Sequence, residues 1–195
     1  MLKKILFTLL ILTGTNRAHA LETLNITLSL PADFSTQVCN IPVWNRTKAI
    51  WGHVKDLREE KAVGHQSKNG VDTLLVETTP PLENILDISL KRLFQTCGME
   101  WVKEEDSNAI KISVNILEFF AGSDKKLLTG KGTAVSRLAI NIEKSNQTLQ
   151  TIEVGFQIEN KGIRQAKLKQ LEKTLNELLA DTLKQIPRLS QMKDF

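Results

Sequence analysis

The chain has 195 residues, 41% of them hydrophobic, which is enough for one domain with a buried core. Lys and Arg outnumber Asp and Glu by 26 to 22, but residues 1–20 hold three of the basic residues and no acid, so the rest has 23 against 22. A nearly neutral domain lacks the basic surface that nucleic acid requires, and without tyrosine it is poor in base-stacking side chains. We therefore expect no nucleic-acid partner.

Residues 1–20 have the layout of a cleavable secretory signal peptide. A positively charged start precedes an apolar run over residues 5–12, and residues 18–20 (Ala-His-Ala) match the small-x-small pattern that signal peptidase cuts. The apolar run is too short to persist as a transmembrane helix, and no later stretch is long enough to span a membrane. We expect a protein exported to the periplasm whose mature chain begins near Leu21.

Residues 21–46 are interpreted as a lead-in segment ahead of a single domain over residues 47–195. Apolar and polar residues alternate from Leu24 to Leu30, which predicts a short half-buried strand that Pro31 ends. Another strand is predicted over residues 48–55. A turn-rich stretch follows it, with a short return strand at residues 74–76.

The first predicted helix opens at Thr79-Pro80, because threonine can cap the free amides and proline tolerates the first helical position. Its apolar residues share one face up to Cys97, and Gly98 is a natural left-handed terminator. Ile88 points away from that face. We expect it to be a lone exposed apolar residue, the alternative being a contact with the lead-in segment or with a partner.

Three alternating strands follow, at residues 110–116, 138–142 and 152–158, with a tight turn at residues 145–147 between the last two. Each has one apolar and one polar face, which is typical of an antiparallel sheet covered on one side. A last helix is predicted over residues 164–186 with a leucine-rich stripe. The predicted fold is α+β: a two-layer sandwich of a mainly antiparallel sheet with two amphipathic helices packed on one face.

The chain shows no recognisable catalytic or metal-binding motif. His53 and His65 are the histidines outside residues 1–20, and neither belongs to an HExxH, a CxxC or a GxSxG pattern. We therefore expect no enzyme activity, no catalytic residues, no metal and no cofactor. The alternative is a small periplasmic hydrolase or ligand-binding enzyme that uses His53, His65 or Asp56 in a cleft.

Asp56 and Arg58 lie on the same side of the chain at the end of the predicted strand over residues 48–55. One interpretation is a salt bridge that fixes the following loop. The other is an acidic and basic pair that faces a partner. One carboxylate beside an arginine does not define a general acid–base mechanism.

Three segments, taken in order, carry a family resemblance: Val54–Arg58, Leu93–Gly98 and Ile112–Leu117. With the strand around Gly155 and the long terminal helix, the chain from about residue 48 to 187 resembles the YajG-like family of bacterial envelope lipoproteins. The resemblance implies a Gram-negative protein of the periplasm or outer membrane and supplies no catalytic residue.

This sequence departs from the family pattern at the signal-peptidase site. Family members usually carry a lipobox cysteine there, but residues 18–21 are Ala-His-Ala-Leu and the first cysteine is Cys39. Lipid attachment is therefore not expected, and association with the outer membrane would be peripheral. The leading hypothesis is a non-enzymatic periplasmic accessory protein that binds another envelope component, namely another envelope protein. A soluble subunit of a secretion or transport assembly is a further alternative.

Export places Cys39 and Cys97 where bacterial oxidants form disulfides. Cys97 ends the apolar face of the first predicted helix, and Cys39 lies in the lead-in segment. A bond between them would staple that segment to the helix end, with a stabilisation of about 4 kcal/mol in the chain-entropy model. The alternative is that Cys97 is a simple buried residue.

Overall fold

The computed structural model describes residues 22–39, 44, 46–68, 71–103, 106, 108–123, 131–144, 147–161 and 168–189. Within these ranges eight strands form one sheet: β1 (Glu22–Ile26), β2 (Lys48–Asp56), β3 (Gly64–Lys68), β4 (Val71–Thr78), β5 (Glu100–Trp101), β6 (Ile110–Ser123), β7 (Lys131–Lys144) and β8 (Gln147–Lys161). The helices are α1 (Phe34–Val38), α2 (Leu82–Thr96) and α3 (Leu168–Gln185), the last followed by a 3₁₀ turn at Ile186–Arg188. The predicted signal peptide and Leu21, the turn residues 145–146 and the helical start at 164–167 lie outside the described residues.

The sheet is organised around β6. On one side β6 pairs antiparallel with β7, which pairs antiparallel with β8. On the other side the first part of β6 pairs in parallel with β2, and Ala121 pairs in parallel with Gly64 of β3. The sheet continues from β3 through antiparallel β4 to parallel β1, while β5 adds to β2 in parallel. The sheet is therefore mixed, although its longest pairs are antiparallel.

The alternating strands bury one face because successive side chains point to opposite sides of a sheet. Ile112 and Val114 of β6 pair with Ile142 and Ile140 of β7, and all four side chains are fully buried. Helix α2 packs on β2, and α3 packs on β6, β7 and β8. The apolar faces of both helices and of the sheet form one continuous core. The predicted α+β class is confirmed.

The start of α2 differs from the prediction. The helix begins at Leu82 with Pro81 as its N-cap residue, and no side chain caps it. Thr79 does not cap the helix but forms hydrogen bonds with β1. Its hydroxyl donates to Asn25 Oδ1 at 3.0 Å, and its N–H donates to the carbonyl of Ile26 at 2.8 Å. The C-terminal end agrees with the sequence, because Gly98 has a φ of 107°.

The turn-rich stretch after β2 contains a strand that the sequence pattern did not reveal. Strand β3 pairs antiparallel with β4, which is also longer than the return strand predicted at residues 74–76. A Cβ on Gly64 would lie 2.8 Å from the carbonyl oxygen of Ala121, so glycine permits the close approach of β3 to β6.

Candidate functional site

The lead-in segment is built into the same sheet and core as the rest of the protein. Strand β1 runs parallel to β4 with Leu24 opposite Val76. Ile26, Leu28 and Phe34 are each 4% exposed and belong to the core. The segment therefore forms a wall of the folded domain.

A disulfide holds the far end of the lead-in segment. Cys39 is bonded to Cys97, and their Cα atoms are 5.1 Å apart, within the usual range for disulfides. Both cysteines are buried. The N–H of Trp44 donates to the carbonyl of Cys97 at 3.0 Å, and the Trp44 ring lies 5.2 Å from that of Phe94 between centroids. These contacts join the segment to the C-terminal end of α2.

An apolar groove lies between the lead-in segment and α2. We call it the lead-in groove; residues 28–31, 34 and 35 form one side, and Pro80 with residues 85, 88, 89 and 92 forms the other. Its volume is about 250 Å³. Leu28, Phe34 and Ile85 are buried where they meet the core, so the floor of the groove is apolar and fixed.

Ile88 and Arg92 stand one helical turn apart at the rim of the lead-in groove. The sequence predicted Ile88 to be a lone exposed residue, and it is 64% exposed, but it borders this groove. Arg92 is exposed, and it makes no hydrogen bond or ion pair with another described residue. The groove thus combines an apolar floor with a cation at its edge.

A second cleft, which is polar and has a volume of about 280 Å³, is lined by Asp56 and Arg58 among other residues. Arg58 Nε donates to Asp56 Oδ1 at 3.0 Å and Nη2 donates to Oδ2 at 2.8 Å, a bidentate pair. The guanidinium also donates to the carbonyls of Lys61 and Ala62, at 3.1 Å each, and to that of Phe119 at 2.8 Å. The pair therefore ties the loop after β2 to β6.

The side chains of Asp56 and Arg58 are 5% and 7% exposed. This geometry is that of the loop-fixing salt bridge. The partner-facing interpretation stays a prediction, and it requires exposure that these side chains do not have here.

Burial raises the pKa of Asp56, but hydrogen bonds from Arg58 and the positive charges of Arg58 and Lys61 outweigh it and hold the pKa below its ordinary value. Asp56 is therefore ionised at neutral pH and unsuited to act as a general acid.

The polar cleft does not assemble the residues named for the hydrolase alternative. Asp56 lines it together with Glu77 and Glu83, but neither His53 nor His65 does. His53 is exposed on β2, and the ring of His65 lies 5.4 Å from that of Phe120. Across the described ranges no three metal-ligand side chains lie close enough to hold an ion. The helices in these ranges do not include one with the length and hydropathy of a membrane span.

Comparison with solved structures finds similar folds among bacterial proteins. A Xanthomonas campestris protein, XCC0632, aligns with a TM-score of 0.54 and 11% identity, over 84% of this chain and 91% of that one. A putative neuraminyllactose-binding hemagglutinin homolog from Helicobacter pylori aligns with a TM-score of 0.43 and 11% identity, over 78% and 87%. At such identity the Xanthomonas likeness shows the fold alone, and the lower score carries no argument.

Among curated proteins, none matches this sequence significantly. A family model described as "uncharacterized lipoprotein" (Lipoprotein_16) matches residues 45–195. This match covers most of the chain and agrees with the resemblance seen in the sequence. The chain therefore belongs to the YajG-like family of uncharacterised lipoproteins.

Proposed function

We propose that this protein is an exported, non-enzymatic accessory protein of the cell envelope, which acts in the periplasm by binding another envelope component. Membership of an envelope lipoprotein family and the signal-like first twenty residues support this proposal. The partner that we propose is another envelope protein.

The observation that carries the proposal is the lead-in groove with Ile88 at its rim. A single exposed apolar residue is ordinary, but one that borders a preformed apolar groove supports the proposal of a binding site there. The groove walls are held by β1 and by the Cys39–Cys97 bond, so little reorganisation opposes binding. Full burial of an exposed isoleucine contributes about 1.5–3 kcal/mol, and at 64% exposure most of that is available here.

Site-specific photo-crosslinking in the native host tests the proposal. A benzophenone side chain at position 88 should give a defined adduct with an envelope component. The matched control is position 57, because Leu57 is 47% exposed and lies outside the groove. No adduct at position 88, or the same adduct at both positions, would contradict binding of an envelope protein at the groove.

A further inference from the structure

We propose that the lead-in groove binds a single acyl chain with an anionic end group, and that its occupant is a free fatty acid. This inference rests on the proposed function only in taking the groove as a binding site. It goes further by naming the chemistry of what binds there.

The floor of the groove is apolar, although three serines, Ser29, Ser35 and Ser89, also line it. Helix α2 uses its backbone groups internally. On the opposite wall Ser29 donates its N–H to Asn176 Oδ1, Phe34 donates its N–H to the carbonyl of Pro31, and Pro31 has no N–H. An extended peptide would bring a backbone N–H and C=O into the groove at nearly every residue, and each of these groups needs a partner on burial. A hydrocarbon chain has no such groups, so the groove favours an acyl chain.

Arg92 determines the charge of the end group. It is the charged residue that lines the groove, and its side chain has no partner among the described residues. Helix neighbours three and four positions away could pair with it, but they are Ile88, Ser89, Gln95 and Thr96, none of them acidic. A guanidinium presents a planar set of donors that matches a carboxylate. An anionic end is therefore complementary to this rim.

The size of the groove indicates one chain. Its volume of about 250 Å³ is below the roughly 300–1,000 Å³ of pockets that enclose drug-sized ligands. A two-chain phospholipid would leave one chain in water. Bound in the groove, a single chain would also cover the exposed side chain of Ile88.

The test uses the exported, disulfide-bonded protein and titrates it with dodecanoate below its micellar concentration, followed by two-dimensional amide NMR. We expect saturable shifts confined to residues 28–35 and α2. Dodecyltrimethylammonium has the same chain with a cationic end, and it should bind about tenfold more weakly or worse, because it loses a charge-assisted pair and gains repulsion. Tight binding of the cation would overturn the anionic end group.

Variants locate the binding site. Arg92→Gln should weaken dodecanoate binding about tenfold, whereas Lys91→Gln, an adjacent exposed cation outside the groove, should not change it. Both positions are exposed, so melting temperatures should match the parent protein. Equal affinities for the two variants, or shifts spread over the whole surface, would refute the assignment.

The outcomes also separate this inference from the proposed function. A specific adduct at position 88 without dodecanoate binding would overturn the acyl-chain inference and leave the accessory function standing. Binding to phosphatidylglycerol vesicles without binding to dodecanoate would equally overturn it. Dodecanoate binding without any adduct at position 88 in the host would support the inference and contradict the proposed function.

Discussion

The buried pair of Arg58 and Asp56 gives the sharpest prediction about stability. Arg58→Met keeps most of the length of the side chain but removes the guanidinium. Asp56, whose side chain is 5% exposed, then keeps the Lys61 ammonium, 3.5 Å away, as its one ion-pair partner among the described residues. Removing one partner of a buried pair typically costs about 3–5 kcal/mol. The carbonyls of Lys61, Ala62 and Phe119 also lose their hydrogen-bond donor. We therefore expect the free energy of unfolding to fall by an amount in that range.

Urea unfolding measures this loss as the change in the free energy of unfolding. The matched control is Arg137→Met, because Arg137 is 51% exposed and pairs with Glu118 and Glu153 at 3.8 and 3.7 Å. An exposed pair contributes about 1 kcal/mol or less. If Arg58→Met costs no more than the control, the pair does not hold the loop as we argue.

The effect of Arg58→Met should depend on pH in a defined direction. The folded-state pKa of Asp56 is lowered, so its ionised form stabilises the protein above the unfolded-state pKa, and this stability is lost as pH falls through the folded-state pKa. The difference between parent and variant should therefore be largest near neutral pH and shrink below about pH 4. A difference that grows on acidification would refute the sign.

Three other variants test the fold. The denatured, unreduced protein should show no free thiols on labelling, and replacing Cys39 and Cys97 by serine should lower the free energy of unfolding by about 4 kcal/mol for their separation of 58 residues; two free thiols per chain would exclude the bond. Thr182→Val removes a buried hydroxyl that donates to the main chain one turn earlier at 2.7 Å, and it should cost about 1–3 kcal/mol in thermal or urea unfolding. Gly64→Ala should cost about 1–3 kcal/mol through the clash with the carbonyl of Ala121, and an unchanged unfolding midpoint would refute that close approach.

Long elements with one clear period could be predicted from the sequence. Apolar and polar residues alternate along β6, β7 and β8, and α2 and α3 each carry a continuous apolar stripe. The local sequence pattern therefore predicts which face of each element is buried. Strand β3 could not be found in this way. Its residues after Gly64 are His, Gln, Ser and Lys, which do not alternate between apolar and polar, and its pairing with β6 depends on tertiary approach.

The candidate site was less accessible to sequence reasoning. The spacing of Asp56 and Arg58 revealed their pairing, but nothing local indicates that the guanidinium reaches Phe119. The lead-in groove forms between segments about fifty residues apart in the chain, so no local pattern describes it. Ile88 was the one local signal, because it is an apolar residue that points away from the apolar face of its helix.

Arg58 also acts as a substitute for a missing strand. Strand β2 pairs with one edge of β6 up to Ile116, whose carbonyl accepts a hydrogen bond from the N–H of Leu57. Strand β3 pairs with the same edge from Ala121, whose N–H donates to the carbonyl of Val63. Between these two hydrogen bonds no strand among the described residues pairs with this edge of β6, and the Arg58 guanidinium donates to the Phe119 carbonyl there. Strands β2 and β3 therefore act as one interrupted strand along β6, and the Arg58 side chain bridges the interruption. Lysine has one compact ammonium group, so it could not pair with Asp56 in a bidentate way and donate to the Phe119 carbonyl at the same time.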